Sequence, residues 1–170
     1  MSMVSKVVKS ADTLYWSFDK GVNTVSDCHV IFQFGGVCEA LYARFRETAD
    51  GVMLCSRKQE KEFNTFPVDN MKMFDKFLHE EENVEVVDTR LEFNNLPDRY
   101  VRVLHGQDHH TGQNVYNFLA THYFACIKYY ERIYAEKASK VAAVTFVNAG
   151  EKAVILPVNV MECGYLAELK

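Results

Sequence analysis

The sequence contains little proline and glycine and has no long apolar run. Its 170 residues include 3 prolines and 8 glycines, so no linker-like or low-complexity stretch divides it. We therefore expect a single domain over residues 1–170. Nowhere do about 18 apolar residues occur together, and residues 1–9 carry two lysines without the apolar core of a signal peptide. These absences predict a cytoplasmic protein with no membrane partner.

The cysteines lack the spacing of a disulfide framework or of a structural zinc site. They are odd in number and form no CxxC pair, which favours free thiols in a reducing compartment. The five are Cys28, Cys38, Cys55, Cys126 and Cys163. A glycine-rich phosphate loop is lacking as well, because residues 34–37 fit neither the GxGxxG nor the Walker A spacing. We therefore predict no cofactor.

Charge is unevenly distributed along the chain. The net charge is −4, and the 48% of hydrophobic and 25% of charged residues are ordinary for a globular domain with a real core. Residues 62–98 contain ten acidic and three basic residues, a net of −7, so the other residues together carry +3. The sequence therefore predicts a polarised molecule, with an acidic segment beside a mildly basic remainder.

Residues 111–137 carry the most regular hydrophobic pattern. Apolar residues recur at steps of three and four, which is typical of one face of an α-helix. They are Val115, Phe118, Leu119, Tyr123, Cys126, Ile127, Tyr130, Ile133 and Tyr134, with His122 on the same stripe. The pattern predicts a long helix over 111–137. We expect an α+β fold in which a mostly antiparallel sheet of about seven strands packs on this helix, with two further helices.

The remaining patterns predict those two helices and most of the strands. Apolar spacing predicts a helix over 3–18, with a strand at 14–18 as the alternative, and a second helix that begins at Pro67 or Asp69. Alternation predicts strands at 28–34 and 84–93, with a bulge near Asp88 and a returning strand at 99–105. Residues 141–147 and 153–160 are apolar on both faces and are predicted to be central strands, followed by a loosely packed end over 161–170. The strands from 84 to 105 and from 141 to 160 are predicted to form two antiparallel hairpins.

Residues 39–58 are predicted to form a further hairpin. Residues 41–46 and 52–55 alternate between apolar and polar positions around the turn signal Asp50-Gly51. A helix over 37–47 is the alternative, because alanine, leucine, glutamate and arginine all favour helices. The hairpin is the preferred interpretation.

A cluster of imidazoles and a carboxylate occurs in residues 105–110. Its members are His105, Asp108, His109 and His110, placed between a predicted strand and the predicted long helix. Such groups can hold a divalent metal or act as an acid and a base near neutral pH. The spacing matches the HxHxDH pattern of metallo-hydrolases only in part, since Gln107 stands where a histidine is needed. A helix cap formed by residues 108–111 is the preferred interpretation, with a metal site as the alternative.

Arginines and tyrosines alternate along the predicted strands. Six of the seven arginines lie in or beside strands, where Tyr42, Arg44 and Arg46 share one face and Tyr100 and Arg102 repeat the combination. Outward tyrosines and guanidinium groups can stack on bases and bind phosphates. The predicted nucleic-acid-binding residues are Tyr42, Arg44, Arg46, Arg57, Lys58, Arg99, Tyr100 and Arg102. A solvated sheet face that pairs with the acidic segment is the alternative.

Three function classes follow from these patterns. The first is a non-catalytic module that binds RNA or another single strand through the Arg/Tyr face. The second is a protein-interaction or structural subunit that forms a homo-oligomer, suggested by an excess of tyrosines along residues 116–134. The third is a small metal-dependent hydrolase that uses the 105–110 cluster. We rank the nucleic-acid module first, in a homo-oligomeric state.

Overall fold

A computed structural model describes residues 3–60, 62–77, 83–96, 99–124, 127, 130–136 and 143–158 of the chain. These residues form eleven strands, three short α-helices and one 3₁₀-helix. The helices are α1 (Met3–Ser10), α2 (Glu39–Phe45), α3 (Thr121–Phe124) and the 3₁₀-helix Val68–Phe77. The strands are β1 (Thr13–Asp19), β2 (Val22–Ser26), β3 (Val30–Gly35), β4 (Val52–Arg57), β5 (Phe63–Pro67), β6 (Asn83–Leu96), β7 (Arg99–Gln107), β8 (Asn114–Ala120), β9 (Arg132–Glu136), β10 (Val144–Asn148) and β11 (Glu151–Ile155).

All eleven strands belong to one sheet. Their order is β5-β4-β1-β2-β3-β11-β10-β9-β6-β7-β8, and every strand pairing is antiparallel. Strand β11 joins two halves of the sheet, since it pairs with β3 on one side and with β10 on the other. The sheet therefore has two edges among the described residues, β5 and β8.

The main core lies on the face of the sheet that α1 and α2 cover. The inward side of α1 carries Val4, Val7 and Val8, which follow the predicted helical spacing, and α2 adds Leu41 and Phe45. These side chains pack with fully buried Trp16, Leu14 and Leu54 from β1 and β4. A smaller cluster, formed by Ile31, Met53, Met71 and Val154, lies on the opposite face near the 3₁₀-helix.

The predicted α+β architecture is wrong. The described part of 111–137 contains a turn, strand β8, the four-residue α3 and strand β9, and no long helix. The sheet has eleven strands where about seven were expected, and short helices cover it where a spine helix was expected to do so. Val115, Phe118 and Leu119 lie on β8, where residues 117–119 are all buried, so this strand shows no strict alternation and its apolar spacing resembles that of a helix face.

Two shorter predictions also need correction. Residues 3–18 divide into helix α1 and strand β1, so the alternative strand over 14–18 is confirmed. Residues 39–45 form helix α2, so the first arm of the predicted 39–58 hairpin is wrong, and the alternative helix is confirmed. The second arm is strand β4, which pairs with β1 and β5. The expected helix after Pro67 is present as the 3₁₀-helix.

Two hairpins are confirmed. Strands β6 and β7 pair with a register shift between Asp88 and Glu92, where a bulge was expected. Strands β10 and β11 pair across the turn at Asn148–Glu151. The predicted loosely packed end at 161–170, together with Cys126 and Cys163, lies outside the described residues. In the ranges that the structure describes, no helix is both long and apolar enough to cross a membrane.

Candidate functional site

The structure divides the predicted Arg/Tyr face into two separate groups. Arg57 and Lys58 lie at the end of β4, beside helix α2, which carries Tyr42, Arg44 and Arg46. The other predicted residues, Arg99, Tyr100 and Arg102, lie on β7. Seven strands separate β4 from β7 in the sheet order. The eight residues therefore do not share one open β surface.

Arg44 is a structural residue. Its half-buried guanidinium Nη1 donates to the carbonyls of Val8 at 2.6 Å and Ala11 at 2.8 Å, at the end of helix α1. Its Nη2 donates to the carbonyl of Ser56 at 3.2 Å, and Nε donates to the Ser56 hydroxyl at 3.1 Å. Burial lowers the pKa of Arg44, and nearby Cys55 and Asp12 oppose this effect. The side chain ties α1 and α2 to β4, and it has little left to offer a phosphate.

Arg102 is held by two carboxylates. Its Nη2 lies 2.7 Å from Glu92, and its Nη1 lies 3.4 Å from both oxygens of Asp88. The guanidinium carbon also lies 5.2 Å from the centre of the Phe124 ring, in a cation–π arrangement. Only 20% of the Arg102 side chain is exposed. The acidic segment therefore neutralises this arginine, as the alternative interpretation of the sequence expected.

The other predicted binding residues lie at separate positions on the surface. Arg57 forms an exposed ion pair with Glu60 at 3.1 Å. Arg46 is exposed at the left-handed C-cap of α2, and Tyr42 packs edge-on against Trp16 with ring centres 5.3 Å apart. The two others with described side chains, Lys58 and Tyr100, are exposed, while the side chain of Arg99 lies outside the described part. Nucleic-acid binding stays a prediction, without the assembled surface on which it depended.

The histidine cluster forms the turn between β7 and β8. The Asp108 carboxylate accepts the His110 N–H at 2.9 Å, and the Asp108 carbonyl accepts the Gly112 N–H at 2.7 Å. Asp108 therefore stabilises a turn between strands, where a helix cap was predicted. His105 bonds Asn114 at 3.2 Å and stacks on Tyr116. Nowhere in the described ranges do three or more His, Cys, Asp or Glu side chains form a possible metal site.

Strand β5 is the most exposed strand of the sheet. Among the described residues it pairs only with β4, and four of its five residues, 64–67, are exposed. Consecutive strand residues point to opposite faces, so the exposure of Thr65 and Phe66 shows that both faces are open over residues 64–67. Phe63 anchors the strand by packing against Phe45, with ring centres 6.1 Å apart. Phe66, by contrast, is 37% exposed.

The sequence contained a signal for β5 that the predictions above did not use. Residues 63–66 form a short aromatic and β-branched run between a charged loop and Pro67, which is typical of an edge strand. A proline at the end of such a run indicates an edge, because proline has no N–H to donate to a neighbouring strand.

The opposite edge, β8, is already occupied in part. The Val103 carbonyl on β7 accepts a hydrogen bond from the Thr89 hydroxyl of β6, so the backbone polar groups of Val103 point towards β6. Phe118 stands opposite Val103 on β8, so its own backbone N–H and C=O point away from β7, to the outer edge of the sheet. The Phe118 carbonyl accepts the N–H of Val158 at 2.9 Å. Val158 also packs on the cluster formed by Val101, Val103 and Phe118. The segment after β11 therefore contacts the outer edge of β8.

Comparisons with known proteins give no family. No protein-family model matches the chain, and no curated protein does. Among solved structures, the chain is similar to DNA polymerase III subunit beta from Borrelia burgdorferi at 10% sequence identity, with a TM-score of 0.36. The match covers 94% of this chain and 62% of that one. A similarity this weak carries no conclusion about function.

Proposed function

We propose that this protein is a protein-interaction subunit that forms a homodimer through the outer edge of β5. The observation that carries the proposal is the character of this strand. It is an edge strand with no charged residue, it is exposed on both faces, and it presents Phe66 to solvent. The tyrosine-rich stripe that first suggested self-association is divided among β8, α3 and β9, and the proposal does not depend on it.

An open edge strand presents unpaired backbone N–H and C=O groups that another strand can bind. Proteins that stay monomeric block such edges with lysine, with inward-pointing charges, with bulges or with a covering loop. Strand β5 has none of these, and Pro67 at its end is its only protective feature among the described residues. Strand addition at β5 would satisfy its outer backbone groups and bury Phe66.

The second copy is favoured as the partner because the two sheet edges differ. A head-to-tail arrangement needs two open edges, and β8 already accepts a hydrogen bond from Val158. A single open edge that pairs with its own copy gives a closed twofold dimer, and the two strands are then antiparallel. An antiparallel pair at this edge would extend a sheet whose strand pairings are all antiparallel. Because β5 carries no charge, pairing it with itself brings no like charges together.

Sedimentation or light scattering tests the dimer directly. We expect the wild-type protein to have twice the chain mass of 19.6 kDa at micromolar concentration. Asn64→Lys and Phe66→Lys each place a charge on an exposed side chain of β5, so both variants should be monomeric. Val87→Lys is the matched control, because Val87 is 63% exposed on β6, with seven strands between β6 and β5 in the sheet order.

Circular dichroism should show the same fold in the wild type and in all three variants. A wild-type protein that stays monomeric up to high concentration would overturn the proposal. So would a dimer that survives both lysine substitutions in β5, or one that is lost in the Val87→Lys control.

A further inference from the structure

Two asparagines are buried in the sheet, and their hydrogen bonds differ. Asn23 is 2% exposed, and its Oδ1 accepts the indole N–H of Trp16 at 3.0 Å. Its Nδ2 donates to the carbonyl of Gly36 at 2.8 Å. Asn117 is 0% exposed, and neither its Oδ1 nor its Nδ2 has a partner among the described residues. The same amide is thus satisfied at one buried position and unsatisfied at the other.

Two further buried side-chain atoms have no partner among the described residues. They are Nε of Arg102 and the hydroxyl of Thr121, both buried. Arg102 stands opposite Leu119 in the β7–β8 ladder, and Asn117 is two residues before Leu119. Arg102 and Asn117 are therefore diagonal neighbours on one face, with Cα atoms roughly 7–8 Å apart. Thr121 follows Leu119 by two residues, at the start of α3.

The diagonal placement of Arg102 and Asn117 on one face of the sheet indicates one shared missing partner. A buried polar group without a hydrogen bond is costly, so folded proteins contain few of them. All four buried side-chain atoms without a partner among the described residues belong to Asn117, Arg102 and Thr121. They are two N–H-bearing nitrogens, one carbonyl oxygen and one hydroxyl, so the missing partner must both donate and accept hydrogen bonds.

The charges at this site select a neutral partner. Asp88 and Glu92 already neutralise Arg102, so an anion would meet uncompensated negative charge. A cation would meet the N–H groups of Arg102 and Asn117. Water is neutral, donates and accepts, and typically makes about three hydrogen bonds to buried polar groups in protein interiors.

We infer that Asn117, Arg102 and Thr121 enclose an internal water site. The bound water links strand β8 and the start of α3 to the ion pairs that Arg102 makes with Asp88 and Glu92. The water completes the polar network around Arg102, whose guanidinium also packs against the Phe124 ring. Asn117 is then a water ligand.

The first test is made on the wild-type protein. A crystal structure at a resolution that shows ordered waters should place one within hydrogen-bond distance of the Asn117 amide and of Arg102 Nε or Thr121 Oγ. Water-to-side-chain nuclear Overhauser effects at the Asn117 amide protons should report the same long-lived contact in solution. A dry site in both experiments would overturn the inference.

The sign of a stability change provides the second test. If water is bound, Asn117→Leu removes one of its ligands and lowers the unfolding midpoint. If the site is dry, the same change removes an unsatisfied amide and raises or preserves the midpoint, and that result contradicts the inference. Asn23→Leu is the matched control, because it removes bonds to Trp16 and Gly36 and must lower the midpoint. Should Asn117→Leu fail to fold, the wild-type measurements decide.

Discussion

At the scale of single residues, Arg44 shows how a cation can hold secondary elements together. Arginine has five N–H donors in a rigid plane, and four hydrogen bonds of Arg44 reach Val8, Ala11 and Ser56. Carbonyls at the C-terminal end of α1 are unsatisfied within the helix and attract positive charge. The guanidinium thus satisfies backbone groups that would otherwise be buried without a partner.

Arg44→Lys should destabilise the fold although it keeps the charge. A lysine cannot reproduce the planar set of donors, so some of the carbonyls of Val8, Ala11 and Ser56 lose their hydrogen bonds. We expect a loss of about 1–3 kcal/mol in the free energy of unfolding, measured by urea denaturation. Arg46→Lys is the control, since Arg46 is exposed on the same helix end. Equal stabilities of the two variants would contradict this role.

Partly buried thiols and phenols make the free energy of unfolding depend on pH in the alkaline range. Burial raises the pKa of the Cys55 thiol above its ordinary value of 9.0, and it raises the pKa of the Tyr15 phenol above 10.0. The pKa of the half-buried Tyr130 phenol is also raised, first of all by burial. Such groups ionise in the unfolded chain before they ionise in the folded one. Stability is therefore complete below the unfolded pKa values and falls as pH rises through the folded ones.

Urea denaturation from pH 7 to 10.5 checks this expectation. The free energy of unfolding should be level near neutral pH and should decline above pH 9, the ordinary thiol pKa. Cys55→Ala removes one contributing thiol, so its decline should be shallower than that of the wild type. A free energy that rises above pH 9 would show that the sign is wrong.

At the scale of elements, patterns in sequence were informative where a turn signal joins two neighbouring apolar segments and misleading where no such signal is present. The β6–β7 and β10–β11 hairpins could be predicted because such a local signal separates their strands. Residues 111–137 could not, because β8 has consecutive buried residues at Asn117, Phe118 and Leu119. Such a run shows no period of two and resembles a helix face.

The candidate binding residues failed as a set for a different reason. Sequence identifies Arg44 and Arg102 as cations, but it does not say which carbonyl or carboxylate each one meets in the fold. Arg44 bonds the Val8 carbonyl of helix α1, which lies more than 30 residues away in sequence. Arg102 bonds Asp88 of the acidic segment, which lies 14 residues away. For β5, by contrast, Pro67 is a local signal of an edge strand, and the pairing with β4 alone among the described strands agrees with it.

Strands β6 and β7 approach each other closely at Gly106, which faces Val86. A Cβ at this position would clash with the Glu85 carbonyl and would lie 2.7 Å from Cγ1 of Val86. Because a strand carbonyl cannot move without breaking the ladder, Gly106→Ala should cost about 1–3 kcal/mol of unfolding free energy.

Gly35→Ala is the control for this substitution. A Cβ at Gly35, also in a strand, meets nothing closer than 4.0 Å, and its φ is not positive. We expect a change within about 0.5 kcal/mol in chemical denaturation. A Gly106→Ala variant as stable as Gly35→Ala would show that the β6–β7 spacing adjusts freely.

At the scale of the whole molecule, the sheet is organised around strand β11. The order β5-β4-β1-β2-β3 forms one half and β10-β9-β6-β7-β8 the other, and β11 pairs with both. Residues 152–155 thus pair with residues 30–33, which lie far away in sequence. The order ends in β5 on one side and in the partly covered β8 on the other. Of these two end strands, β5 is the one on whose outer edge no hydrogen bond is described.

Homodimerisation at β5 would couple the stability of the whole sheet to protein concentration. If the folded state is a dimer and the unfolded state is a monomer, mass action raises the melting temperature as the protein becomes more concentrated. For a chain of 170 residues, a tenfold increase in protein concentration should raise the melting temperature by about 2 °C.

Calorimetry across two decades of concentration measures this slope. The slope should vanish in Phe66→Lys, which places a charge on the edge strand, and persist in Val87→Lys, which places the same charge on exposed β6, far from β5 in the sheet order. A melting temperature that does not vary with concentration would mean that β5 stays unpaired, and the open edge would then need another partner.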